Sequence, residues 1–262
     1  VISSLQVKNC HPVSGRTKLN AVKIAMWSGP RNISTALMRS FENREDTFVT
    51  DEPFYAHYLY KTKIDHPGKE EIIASQSTDW AEVADMCTGE IPDGKPVWYQ
   101  KQMAQHNLEG CDLSWIKGVT NCFLIRDPKQ VIASYGKRFP VENERLLGFE
   151  QQSELLKMVE DMTGETPPIL DAKDILINPE MMLKKLCKRI GIEFSERMLN
   201  WPAGKRDSDG MWAPYWYNRV EESTGFNPYL EKEVYLDDEL IPMYTRSMEH
   251  YNLLFNKRIN NE

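Results

Sequence analysis

An α/β fold, with a central parallel sheet flanked by helices, is the class this sequence predicts. Three observations point there. Short apolar runs of strand length recur along the chain, segments of helical period stand between them, and a length of 262 residues suits one α/β domain. Alternation of this kind feeds parallel strands through crossover helices, which cover both faces of the sheet.

Ala21–Trp27 (AVKIAMW) is the first strand by its length and apolar content. It runs through Ser28-Gly29-Pro30-Arg31-Asn32-Ile33-Ser34-Thr35 into a helix over Ala36–Glu42, with Leu37 and Phe41 on one face. Thr47–Thr50 makes a second strand that ends at Asp51-Glu52-Pro53-Phe54. Between Glu70 and Met86, the spacing of Ile72, Ile73, Trp80, Val83 and Ala84 predicts one amphipathic helix, closed off by Pro92, Gly94 and Pro96. Val97–Lys101 and Asn121–Ile125 are further buried strands. The second passes through Arg126-Asp127-Pro128 into a helix, with Pro128 in its first turn and Val131, Ile132 and Tyr135 on its face. A long helix is expected over Glu142–Met162, a strand at Ile169–Leu170, and a helix over Pro179–Ile190 closed by Gly191. Past Trp201 the pattern loosens, and residues 201–235 read as a lid or acceptor-binding loop. A last helix, roughly Asp238–Leu254, packs back through Leu240, Ile241, Tyr244, Met248 and Leu253. Residues 1–20, without a continuous apolar core, read as a flexible segment and not as an intact secretory signal; residues 21–262 read as one domain.

Composition excludes several classes. Hydrophobic residues at 41% and charged residues at 27% describe a globular chain, and no run of about 18 apolar residues offers a membrane span. A net charge of −7 disfavours nucleic acid, whose binding depends on neutralised phosphates. It leaves room for a small anion held by a local cluster of donors. Five cysteines (Cys10, Cys87, Cys111, Cys122 and Cys187) without a CxxC pair argue against a disulfide framework and a structural metal, and suit a reducing cytoplasm.

The chemistry concentrates at two strand-to-helix joins. In the first, a loop leaving a strand end and opening a helix aims unpaired backbone N–H groups at one point, where the helix dipole adds partial positive charge. Asn32, Ser34 and Thr35 add side-chain donors, and Arg31 adds a permanent cation with a planar fork suited to phosphate or sulfonate oxygens. The loop is not a Walker motif: GxxxxGK[ST] is absent, so an ATPase or GTPase is disfavoured. In the second join, Arg126 sits at a strand end and Ser134 follows eight positions later, about two helical turns on, so both can reach one anion. Alone, Arg126–Asp127 reads equally well as a local ion pair and Ser134 as a packed small residue.

Together the two joins resemble the sulfotransferases that use 3′-phosphoadenosine 5′-phosphosulfate. Pro30-Arg31-Asn32-Ile33-Ser34-Thr35 is similar to the family's loop for the 5′-phosphosulfate, and Arg126 with Ser134 to its 3′-phosphate pair. The segment PPILDAKDILINPEMMLKKLCKRIGIEF is similar to a further strand and helix of the family, so the resemblance spans roughly Ala21–Trp201. WSGPRNISTALMRSFENR and DEPFYAHYL resemble more narrowly a small-protein branch from bacteria and plants. The resemblance implies a P-loop NTPase-like sulfotransferase fold, that donor as cosubstrate with its 3′,5′-bisphosphate product, and a small-molecule acceptor. Two departures stand out. Ile33 replaces the loop's usual Gly, and Arg31 replaces a common Lys; Arg31 can stabilise charge but not give up a proton. The family's C-terminal basic segment over the nucleotide has Lys205 and Arg206 as its nearest substitute.

The resemblance implies no protein nucleophile and no metal. Positioning and charge stabilisation supply most of the catalysis, as in phosphoryl transfer. A general base is required, and two residues compete. Glu52 lies where members with carboxylate bases carry theirs. His106 follows the strand that bears a Lys-x-His base in cytosolic members; Lys101 fits that Lys, but Met103 holds the His position. A His titrates near neutrality unaided, whereas Glu52 needs its pKa raised by burial. His57 is a third candidate, read first as a binding or packing residue, and Lys101 is placed to contact the transferred group. Trp212, Tyr215, Trp216 and Tyr217, followed by Glu221 and Glu222, suit a cationic acceptor or simply anchor a long loop. The rival readings are a kinase-like phosphotransferase and a degenerate, non-catalytic nucleotide-binding protein.

Overall fold

The structure, a computed structural model, describes residues 21–231 and 233–260; the expected flexible segment 1–20 lies outside the described residues. Five strands, β1 (Val22–Ser28), β2 (Thr47–Asp51), β3 (Val97–Met103), β4 (Thr120–Ile125) and β5 (Ile169–Asp171), form one sheet in the order β2-β3-β1-β4-β5. Every pairing is parallel, with Met26 opposite Lys101 on one side and Cys122 on the other. The expected class is the observed one.

Side-chain alternation along the strands decides what each face buries. Ala25 and Trp27 of β1, with Phe123 and Ile125 of β4, point to one face. There they meet helices α4 (Trp80–Thr88), α5 (Pro128–Gly136), α6 (Phe149–Thr163) and α11 (Ile241–Phe255). Ile24 and Met26, with Val49, Tyr99 and Leu124, point to the other. That face packs on α1 (Ser34–Glu42), α7 (Ala172–Ile177) and α8 (Pro179–Ile190). Burying a side chain the size of Phe123 stabilises the fold by roughly 2–3 kcal/mol. A third, smaller cluster joins α2 (Tyr55–Thr62) and α3 (Lys69–Ser75) to Trp212, Ala213 and Tyr217. The last of these residues flank α9 (Ala213–Trp216) and α10 (Asn218–Glu221).

Four expectations are corrected. The single helix over 70–86 is two, α3 and α4, because Gln76 turns extended and Asp79 caps a new start by accepting from Ala81 and Glu82 N–H. The break has a use: Gln76 accepts from Ala56 N–H at 3.1 Å and donates to the Glu52 carbonyl at 3.2 Å. The helix over 142–162 starts only at Phe149, after a 3-10 turn and Gly148 at φ 75°. That turn packs on the loop after β1, where a Cβ on Gly29 would collide with the Leu147 carbonyl oxygen. Only a glycine allows this approach. Helices α2 and α7 were not expected; α2 opens at Phe54 with no capping side chain, the signal that marks most starts. In α11, Leu253 and Ile241 face outward, while Tyr251 and Leu254 are buried.

The carboxyl ends of β1, β2, β3 and β4 lie at one edge. The connections leaving β1 and β3 run to opposite sides of the sheet, so the crevice between those strand ends is where an open α/β sheet takes its ligand.

Candidate active site

At that edge lies a cavity of about 400 Å3. The loop after β1 forms one end of it. Arg31 and Ile33 both adopt left-handed backbone, at φ 64° and 58°, and α1 begins at Ser34 with no capping side chain and no acidic residue in its first turn. The first amides of α1 are thus left for an external acceptor. A left-handed conformation costs a β-branched residue about 1–2 kcal/mol, which explains why a Gly would be at ease where Ile33 stands.

The second join meets the first directly. Arg31 Nε donates to Ser134 Oγ at 3.0 Å, and Arg126 Nη1 donates to the Arg31 carbonyl at 2.7 Å. Asp127 caps α5 through Gln130 N–H, and Gln130 in turn accepts from Arg126 at 3.0 and 3.2 Å. Burial holds the Arg31 guanidinium below its ordinary pKa, with repulsion from Arg138, Arg219 and Arg126 added. Neither Arg31 nor Arg126 has a carboxylate within 4.0 Å among the described residues. Asp171 and Asp127 act on Arg126 from farther off, whereas the charges acting on Arg31 are other guanidiniums, an arrangement that suits an anion.

The other end of the cavity holds the titratable groups. Glu52, at φ 40°, is pinned through its backbone by Lys101 O and Gln76. Its Oε1 accepts from Lys101 Nζ at 2.7 Å. Lys101 is only 2% exposed and also donates to Asp51 Oδ1 at 2.9 Å and Tyr217 OH at 2.6 Å. Burial raises the Glu52 carboxyl to about 7, against the pull of Lys101 and with the repulsion of Asp51 added. His106 stacks on both Tyr55 and Tyr58, at 4.6 and 4.8 Å, with Nε2 3.8 Å from Glu52 Oε2. Burial, then Lys101, drives its pKa well below the ordinary imidazole value, so it is neutral. The chemistry available is an anion grip at one end and a carboxyl poised near neutrality at the other.

Over residues 22–249 the chain matches the family model described as "Sulfotransferase domain". It belongs to the sulfotransferase-domain family. It is 36% identical over 208 residues, 78% of its length, to Branched-chain-amino-acid aminotransferase-like protein 2 of Arabidopsis thaliana. It is 34% identical over 235 residues, 88% of its length, to the plant's Branched-chain-amino-acid aminotransferase-like protein 1. These matches cover 36% and 41% of the relatives, so the chain spans about two fifths of their length. Two solved structures share the fold. The sulfotransferase domain from the Synechococcus PCC 7002 olefin synthase superposes with a TM-score of 0.53 at 14% identity, covering 88% of this chain and 96% of that one. A sulfotransferase from Alicyclobacillus acidocaldarius gives 0.53 at 12% identity, covering 91% and 97%. The fold is the P-loop-like one of sulfotransferases.

Within this sulfotransferase domain, Arg31, Asn32, Ile33, Ser34, Thr35, Glu52, Lys101, His106, Arg126 and Ser134 all line the one cavity. Lys205 and Arg206 do not. Arg206 turns to the carbonyls of Gly204, Lys205 and Pro202 and to Glu42, which uses up its donors locally. Arg219, which sequence reasoning missed, lines the cavity instead, with Ser223, Phe226 and Asn227 beside it. It stands in α10, a four-residue helix without a motif to mark it. His57 lies off the cavity, with Nδ1 2.8 Å from Thr78 O and its ring edge-on to Trp80. Glu221 and Glu222 are not in the lining; Trp212, Trp216 and Tyr217 are. Among the described residues, no helix is long and apolar enough to cross a membrane.

Proposed function

We propose that the protein moves a sulfuryl group from 3′-phosphoadenosine 5′-phosphosulfate to a hydroxyl or amine of a small acceptor. One observation carries this: the loop that bears Arg31 and the join that bears Arg126 and Ser134 are bonded to each other and open into the same cavity. The residues present fit a molecule with two separated phosphate-type groups. The uncapped start of α1 and Arg31 suit one, and Arg126 with Ser134 suits the other.

When bound, the donor supplies an activated sulfuryl group on a phosphate leaving group. Arg31, always charged, neutralises the oxygens that gain negative charge at its end of the cavity. Ser134 accepts from Arg31 Nε, which leaves its own hydroxyl hydrogen to donate. Glu52 takes the acceptor's proton on Oε2, the oxygen that Lys101 does not hold. His106, stacked on Tyr55 and Tyr58, is kept from charging by burial and so holds a proton poorly, which favours Glu52 as the base. Lys101, with three acceptors for its three N–H groups, orients Glu52. The lining lacks Glu221 and Glu222, so an uncharged acceptor fits better than a cationic one. Cys87, Cys111, Cys122 and Cys187 are free thiols, which suits the cytoplasm.

The test compares 3′-phosphoadenosine 5′-phosphate with ATP and Mg2+ by thermal shift, then follows radiolabelled sulfate from the donor into a metabolite extract. Stabilisation by the bisphosphate without metal, together with labelled product, is expected. Preference for ATP and Mg2+ would favour a kinase-like phosphotransferase, and binding without any transfer a degenerate nucleotide-binding protein.

A further inference from the structure

The buried polar cluster beneath the cavity contains a group that the proposed reaction does not itself use. Tyr217 lies on the aromatic tail, past α9, more than 100 positions from the strands it touches. Its hydroxyl donates to Asp51 Oδ2 at 2.6 Å and accepts from Lys101 Nζ at 2.6 Å and from Trp212 Nε1 at 3.0 Å. Asp51 therefore takes three donors: Lys101, Tyr217 and, at 3.2 Å, the Gly210 amide. Glu52 takes one, on Oε1. Both Tyr217 and Gly210 come from the tail, so its docking gives Asp51 two of its three donors.

Two adjacent carboxyls thus share one buried ammonium. Two negative charges beside one positive charge in a water-poor site favour keeping a proton on one carboxyl, and the donors decide which. We propose that Tyr217 is a positioning residue for Glu52: by satisfying Asp51 and taking one N–H of Lys101, it makes Glu52 the carboxyl that exchanges the proton. The groups facing Glu52 are Asp51 from β2, Lys101 from β3, neutral His106 from the turn after β3, Tyr55 from α2 and Tyr217 from the tail. Tyr217 reaches Glu52 through Lys101, which donates to both. The inference rests on the reading of Glu52 as base.

The test reads Glu52 without turnover. In the full chain with 13C-labelled glutamate carboxyls, the Glu52 resonance, assigned by its loss in Glu52→Gln, is titrated alongside the pH profile of kcat/KM. Tyr217→Phe removes a donor from Asp51 and frees a Lys101 N–H for Glu52, so the Glu52 midpoint should fall by about one pH unit. The acid limb of kcat/KM should move with it, while affinity for 3′-phosphoadenosine 5′-phosphate, measured by calorimetry, stays within about twofold. In an Asp51→Asn background the same change should shift the midpoint less, since only the freed Lys101 N–H is left to act. An unmoved or raised midpoint in Tyr217→Phe would overturn the proposal, as would a shift that is no smaller with Asn at 51. If Tyr217→Phe does not fold, Asp51→Asn alone decides: its Glu52 midpoint must fall, and an unchanged one removes the sharing on which Tyr217 acts. Turnover surviving in Glu52→Gln would instead defeat the reading of the base.

Discussion

Arg31 and Ser134, 103 positions apart in the chain, are joined by a 3.0 Å hydrogen bond from guanidinium Nε to hydroxyl Oγ. The bond turns the Arg31 fork toward the cavity and spends the serine's acceptor site on protein. The two strand-to-helix joins are thereby held together at one end of the cavity. Consequences for variants follow from how each group is held.

Arg31→Ala should lower kcat by about 10²–10³ fold, the range for losing one charge-stabilising donor at a reacting group. Stability should hold or rise, because Arg138, Arg219 and Arg126 repel Arg31 in the folded state. Steady-state rates with a melting curve check both. Near-normal turnover would remove Arg31 from the reaction.

Ser134→Ala should weaken 3′-phosphoadenosine 5′-phosphate by about tenfold, equivalent to a hydrogen bond to a charged group. The analogue lacking the 3′-phosphate should lose much less. Calorimetry on the pair gives the comparison, and equal losses would move Ser134 away from the 3′-phosphate.

Arg219→Ala should reduce affinity for the same bisphosphate about three- to tenfold, with the loss shrinking as salt rises, since Arg219 is an exposed cation at the cavity rim. Lys205→Ala and Arg206→Ala should change it less than twofold, because neither lines the cavity. A larger effect at 205 or 206 than at 219 would reverse this placement.

Turnover should rise with pH through about 7 as Glu52 loses its proton, and Glu52→Gln should abolish that limb along with most of kcat. Stability should move the other way. The Glu52 carboxyl is raised in the folded state, so its contribution is full below the ordinary carboxylate pKa of 4.5 and is lost as pH rises toward 7. Urea melts across that window, wild type against Glu52→Gln, measure the difference; a wild-type advantage that grows with pH would contradict the raised pKa.

Ile33→Gly relieves left-handed strain but loses side-chain packing and adds chain entropy, terms of about 1 kcal/mol each. Stability should change by less than about 1 kcal/mol, and nucleotide affinity should be kept or improved. Denaturation and calorimetry test this; a tenfold loss of affinity would mean that the Ile33 side chain itself contacts ligand.

The sequence by itself determined the sheet and the two strand-to-helix joins. Strand-length apolar runs, Pro128 in the first turn of its helix and the closing Gly191 are local signals that act over a few residues. Local reading faltered where an element's cause lay elsewhere. The break at Gln76 exists because its carboxamide holds Glu52 and α2, and the delayed start of α6 because Gly148 and Leu147 lie against Gly29. The spacing from Arg126 to Ser134 is local, but only the packing of α5 beside the loop after β1 put Ser134 on Arg31. The same holds for the protonation of Glu52 and His106. Charge states respond to burial and to neighbours brought from 50 or more positions away, such as Lys101 to Asp51, and no local pattern encodes that desolvation.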